Sequence, residues 1–216
     1  MKTVLVTLIV WVAVADAGRA QDIRWGFQGG MNLSGGIARE TGVVIKGKPA
    51  PGYALGVLAD VPLANPRWSI RPVLSYQHEA SNADIFDDNT FIRVNYFNLP
   101  IDVIYHPDFA EKRWVFGLGP WFAYALSGKY TQDGYTWKIN FGSSDLNDAH
   151  HLDFGLEALA GFQLKPDMML TAKLDWGFKD VSAQPDFVTI FTRSFAVNFV
   201  YWMPNAIHFG AGAQKK

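Results

Sequence analysis

Two neighbouring segments space their charges two and four residues apart. Asp153 and Glu157 come first; past Lys165-Pro166-Asp167 come Lys173, Asp175 and Lys179. On a strand such residues share one face, because successive side chains point to opposite sides. The same alternation elsewhere puts Arg24, Asp60, Arg71 and Asp102 on the corresponding face of their own segments. With the turn centred on Pro166, Leu164 pairs with Met168, Asp153 falls opposite Lys179, and Glu157 falls opposite Asp175. Lys173 is then the diagonal neighbour of Glu157. Opposed carboxylates are unfavourable unless a cation bridges them or one is protonated. Lys173 is the nearest cation, with Arg24 and Arg71 as the alternatives. A slip of two residues keeps the faces and sets Glu157 directly opposite Lys173. Such a cluster is either a proton or metal site or a structural ion network; the structural network is the expectation.

Other residues could carry chemistry. His150-His151 could ligate a metal only from a loop, since adjacent strand positions diverge. Glu79, Asp84, Asp87 and Asp88 form an acidic stretch able to hold divalent cations that bridge lipid phosphates, or simply to be solvated. Ser75, His78 and Glu79 could compose a hydrolase site, but on a straight strand Ser75 and His78 face opposite ways. No catalytic residue, cofactor or metal is therefore assigned. The sequence has no cysteine, which removes thiolate chemistry and disulfides. Its net charge of -1 offers no basic field for nucleic acid.

The elements that must position these residues are strands. Residues 1–20 read as a signal peptide: Lys2, the twelve apolar residues Val4 to Ala15, then small-residue cleavage patterns at Ala15-Asp16-Ala17 and Gly18-Arg19-Ala20. Cleavage after Ala20 leaves Gln21 first. The apolar run is too short to span a bilayer as a helix. From there to residue 203 the apolar residues alternate with polar ones. Leu152, Phe154, Leu156, Ala158, Ala160, Phe162 and Leu164 form one face, opposite Asp153, Gly155, Glu157, Leu159, Gly161 and Gln163. Eight strands follow, at about 23–34, 51–62, 68–78, 91–105, 114–127, 152–164, 168–179 and 189–203. Residues 204–216 remain as a C-terminal tail.

Short connections at 64–67, 106–108 and 165–167 alternate with longer ones at 35–50, 79–90, 128–151 and 180–188. That is the pattern of an all-β, eight-stranded antiparallel up-and-down transmembrane β-barrel with both termini in the periplasm. Its apolar face must point out and its polar face in, the reverse of a soluble barrel. Trp68, Tyr76, Tyr105, Trp114, Tyr124, Trp176, Phe178 and Tyr201 fit aromatic girdles at the two interfaces. A soluble sandwich is the competing reading, and the strands are long for it. Gly26, Gly30 and Gly56 face the lumen and leave room there for Arg24, Arg71 or Trp121. Pro100 lacks an amide donor and should interrupt a ladder or sit at a bulge. The expected lumen network is Arg24, Asp60, Arg71, Asp102, Asp153, Glu157, Lys173, Asp175 and Lys179.

Four motifs in order resemble the PorT-like outer-membrane β-barrel domain family of Bacteroidota. They are Gly26-Phe27-Gln28-Gly29-Gly30-Met31-Asn32-Leu33-Ser34, Tyr96-Phe97-Asn98-Leu99-Pro100-Ile101, Gly117-Leu118-Gly119-Pro120-Trp121-Phe122-Ala123-Tyr124 and Asp153-Phe154-Gly155. The resemblance spans about 23–203 and implies an integral outer-membrane barrel; PorT itself is linked to type IX secretion. The chain departs from barrels that end on an aromatic residue, since Tyr201-Trp202-Met203 is followed by the tail. The functional expectation is a structural or interaction barrel with a plugged polar lumen, in the sense of a secretion or envelope accessory. Its expected partners are outer-membrane lipid, lipopolysaccharide and an envelope protein. The alternatives are a lipid A deacylase-like enzyme and a narrow channel.

Overall fold

The computed structural model describes residues 23–40, 43–85, 88–108, 113–142, 144, 147–183 and 188–204. The expected signal peptide, the tail beyond Pro204 and Asp87 lie outside the described residues, as do the side chains of Asp84 and Asp88.

Ten strands follow one another: β1 (Arg24–Glu40), β2 (Val43–Lys46), β3 (Lys48–Pro62), β4 (Trp68–Ile85), β5 (Asp88–Tyr105), β6 (Trp114–Gln132), β7 (Tyr135–Lys138), β8 (Leu152–Lys165), β9 (Met168–Gly177) and β10 (Val188–Trp202). Eight of them pair antiparallel in the order β1-β3-β4-β5-β6-β8-β9-β10, and β10 returns to β1 from Gly26↔Trp202 to Glu40↔Val188. The sheet is a closed eight-stranded barrel. Short β2 and β7 pair with β1 and β6 at the long-loop end. Following register partners once round from Trp25, through Leu156, Trp176 and Arg193, returns to Gly35, ten residues further along β1. That stagger tilts the strands by about 40°, and eight strands at that tilt enclose a lumen only as wide as side chains can fill.

Alternation sets the two faces. Phe27, Met31, Leu55, Leu74, Phe97, Leu118, Phe122, Leu174 and Phe199 are exposed on the outside, while Asn32, Ser69, Arg71, Asp102, Glu157, Lys173 and Asn198 are buried within. So much exposed apolar surface in one band needs lipid rather than water around it. Aromatic pairs edge the band: Trp68–Tyr105 and Trp114–Phe162 at the short-turn end, Tyr53–Tyr76 and the Tyr124–His151 stack at the other. Trp114 to Tyr124 is ten residues of tilted strand, about 25 Å of apolar height, which matches the belt of such barrels.

Strands run further than the apolar pattern indicates. Residues 79–85 and 88–90 are paired strand rather than loop, as far as Ile85↔Asp88, and β6 continues to Gln132. Beyond the girdle both faces are polar, so the alternation that marks a strand disappears while the ladder continues. The β8–β9 turn also differs from expectation. Lys165, not Leu164, pairs with Met168, and a bulge between Gln163 and Lys165 restores the register. Pro100 sits in register opposite Trp121; a nearby bulge falls instead between Asn95 and Tyr96.

Candidate functional site: the charged lumen

The register lines the inward charges into one row. Arg24 pairs with Asp60, Arg71 with Asp102, Gly119 with Glu157, Glu157 with Asp175, and Asp175 with Ser194. Constant register between the β3–β4 and β5–β6 pairs sets Asp60 beside Arg71 and Asp102 beside Gly119. The row therefore winds through Arg24, Asp60, Arg71, Asp102, Gly119, Glu157, Asp175 and Ser194. Gly119 is needed for close approach, since a Cβ there would lie 2.7 Å from the Asp102 Cα.

Charges alternate at the short-turn end. Arg71 is 1% exposed and its Nε donates to Asp60 Oδ1 at 3.2 Å. Ser69 Oγ donates to the same oxygen at 2.8 Å and lies 3.2 Å from His106 Nε2. Trp202, 1% exposed, packs beneath both guanidinium groups: Arg24 Cζ is 4.8 Å and Arg71 Cζ 5.1 Å from its ring centroid. Trp202 also joins Leu58, Val73, Ile104, Val115, Leu159, Met169 and Val200 in an apolar cluster inside the barrel. This end of the lumen is a hydrophobic plug topped by arginine. Burial holds the His106 imidazole below its ordinary pKa, since the charged form loses water.

At mid-height the row is acid-rich. Glu157 and Asp175 are directly opposed, and Asp102 faces Glu157 across the glycine gap. Lys173 Nζ lies 2.7 Å from Glu157 Oε1. Ser194 Oγ donates to Asp175 Oδ2 at 2.6 Å. Asp102 is fully buried and neither of its oxygens meets an N–H or hydroxyl donor. Three carboxylates thus depend on one ammonium group.

Toward the long loops lies a small recess lined by Glu79, Tyr96, Asn98, Trp121, Asp153 and Asp175 among others. Asp153 Oδ2 accepts from Thr192 Oγ1 at 2.7 Å, and its Oδ1 from the Phe154 amide at 2.7 Å.

Some sequence expectations need correction. Lys179 does not pair with Asp153; its Nζ donates to the Leu152 carbonyl at 2.7 Å. Arg24 and Arg71 do not reach across to Glu157 and Asp175. Arg24 donates to the Pro166 carbonyl at 2.8 Å and Arg71 is taken by Asp60. Gly26 makes room for Trp202, where a Cβ would lie 2.9 Å from the indole. Thr192, Ser194, His106 and Trp202 belong to the lumen and lie outside the expected network, whereas Ser69 is on the inward face that its alternation with Trp68 and Ile70 gives it. Strict alternation from Phe195, Val197, Phe199 and Tyr201 points Trp202 inward and, carried back along the strand, Ser194 and Thr192 as well; His106, in a turn, has no such signal.

The other candidates separate. Ser75 is buried inside and bonds the Asn98 carbonyl at 3.5 Å, whereas His78 lies outside, stacked on Tyr53 and bonded to Asn95 Oδ1 at 2.7 Å. His150 and His151 contact different carbonyls, Gly142 and Ala125. Among the described residues no group of three or more His, Asp or Glu side chains could hold a metal.

The outer membrane protein beta-barrel domain family model matches residues 19–183. Solved structures to which this chain is similar include Ail, the attachment invasion locus protein of Yersinia pestis, in complex with the heparin analogue sucrose octasulfate: 10% identity, TM-score 0.47, covering 85% of this chain and 100% of that one. Neisserial surface protein A is 10% identical with TM-score 0.47, covering 81% of this chain and 96% of that one. OprG from Pseudomonas aeruginosa is 12% identical with TM-score 0.46, covering 85% and 95%. No curated protein matches the sequence. The family assignment rests on the family model alone, and by it this chain belongs to the outer membrane protein beta-barrel domain family.

Proposed function

We propose that this integral outer-membrane barrel is a structural or interaction protein of the envelope whose lumen is plugged rather than conducting. The observation that carries this reading is the packed interior at the short-turn end. Trp202, Leu58, Ile104, Met169 and their neighbours fill the cross-section under the Arg71–Asp60 pair. A water path would have to displace that cluster and then the Lys173–Glu157 pair. In this reading the short turns and both termini of the barrel face the periplasm, and the long hairpins meet the outside. With the interior closed, the hairpins are the surfaces left for an envelope partner. A secretion accessory role is the finer form of this reading and is supported only by the four motifs shared with PorT-like barrels.

A narrow channel is the second reading, and the recess above Asp175 favours it as a vestibule. A strain lacking the chain separates the two. The plugged barrel predicts wild-type uptake of small solutes together with greater sensitivity of the envelope to detergent or chelator. Slower uptake across an otherwise intact envelope would select the channel.

A further inference from the structure

Beyond the girdle the register makes a second charged row, on the outer face. Arg93 of β5 pairs with Lys129 of β6, and Lys129 pairs with Lys138 of β7. Directly opposed residues share a face, so three cations stand side by side on adjacent strands. Like charges so placed repel. Among the described residues no carboxylate lies within ion-pair distance of any of them. Their neighbours on that face are neutral. Arg93 Nη2 donates to Thr131 Oγ1 at 3.2 Å, and that hydroxyl lies 3.0 Å from Thr136 Oγ1. The Arg93 guanidinium packs 5.1 Å from the Phe91 ring, and its buried Nε meets no acceptor. One row nearer the girdle, His78, Asn95 and Ser127 are hydrogen-bonded in line.

The hairpin that carries two of the cations is held by an aromatic stack and a tight turn. Its other face stacks Tyr130 on Trp137 with centroids 5.3 Å apart, and Asp133-Gly134 closes the tip with positive φ at both residues. The hairpin thus holds repelling charges together with no anion beside them among the described residues.

Height identifies the missing anion. Lys129 lies five residues beyond the girdle residue Tyr124, about 10 Å above it along the barrel axis. That is the level of lipid headgroups, on the lipid-facing side of the strand. We propose that Arg93, Lys129 and Lys138 form a docking site for the phosphate groups of the glycolipid in the outer leaflet. The site rests on the reading that the long hairpins face outward. A free phosphate would satisfy the charges equally, but it would not explain a site continuous with the apolar belt.

The test uses the full mature barrel refolded in zwitterionic micelles and titrated with diphosphorylated lipid A or with lipid A stripped of phosphate. The wild type should bind the phosphorylated form preferentially, and more weakly as salt rises. The triple variant R93Q/K129Q/K138Q should lose about 100-fold in affinity. Without lipid, that variant should be at least as heat-resistant as wild type, because the repulsion is gone. The proposal is overturned if the wild type does not distinguish the two lipids, if the variant binds as well, or if the lipid-free variant is markedly less stable. It is also overturned as a lipid site if inorganic phosphate alone binds as tightly as the phosphorylated lipid. Should the triple variant fail to fold, K138Q, on a strand outside the closed barrel, gives the same reading with a smaller loss. Labelling of an Asp133→Cys variant on intact cells tests the outward orientation separately, since binding in micelles does not depend on it.

Discussion

The two levels of the lumen handle buried charge differently. At the short-turn end Arg71 has a carboxylate on the next strand, a serine supporting that carboxylate and an indole beneath. At mid-height Asp102, Glu157 and Asp175 share Lys173. In the first arrangement Asp60 accepts from Ser69 as well as from Arg71. In the second, beyond Lys173, only Asp175 has a further donor among the described residues, Ser194, and Asp102 has none. The same polar lining can therefore be robust in one layer and critical in the next, depending on the ratio of charges and not on their number.

The sharpest break of this comparison is Lys173→Met. It removes the only ammonium group among three buried carboxylates and should cost about 3–5 kcal/mol. Unfolding in lipid by denaturant would measure it. Adding Glu157→Gln to that variant should recover part of the loss, because one uncompensated charge goes. A Lys173→Met barrel as stable as wild type would remove the distinction between the two layers.

On the outer face of the same strand, Leu174→Arg places a cation in the apolar band, at about 2–4 kcal/mol. Gln163→Arg, near the short-turn rim, should cost under about 1 kcal/mol, since the added charge can reach water. Equal losses for these two in a lipid-refolding titration would mean the faces are misassigned.

The smallest effect belongs to His106. Its folded pKa is depressed, so below about 6.5 the unfolded chain takes up a proton that the folded chain accepts only at lower pH. The contribution is complete above that pH and is lost as pH falls. His106→Gln should flatten this slope, read from denaturant midpoints between pH 7 and pH 5.

Much of this was legible in the sequence because a strand's period is two. Leu152 to Leu164 against Asp153 to Gln163 determines both faces of β8 without any structure, and the aromatic girdles follow. The opposition of Glu157 and Asp175 needs only one hairpin. The full charged row was not legible, since it requires the register of every strand and the gap at Gly119. Closure also decides which cation serves which acid: Asp60, one strand away, takes Arg71 before it can reach Glu157. Trp202 is outside the expected lumen network, and only its parity with the girdle residue Tyr201 marks it as inward. Thr192 and Ser194 resemble any solvated hydroxyl until Asp153 and Asp175 are placed against them. Of the Arg93–Lys129–Lys138 row only Arg93 falls in a strand that the sequence announces; Lys129 and Lys138 lie beyond residue 127, where the expected strand ends, and their pairing needs the register.

The claim that the lumen is plugged is tested most directly by ion conductance of the purified barrel in a planar bilayer, beside a Trp202→Ala variant. Wild type should show no steady conductance above the bare membrane, and removal of the indole under Arg24 and Arg71 should introduce brief openings. A large steady conductance from wild type, unchanged by Trp202→Ala, would contradict the account.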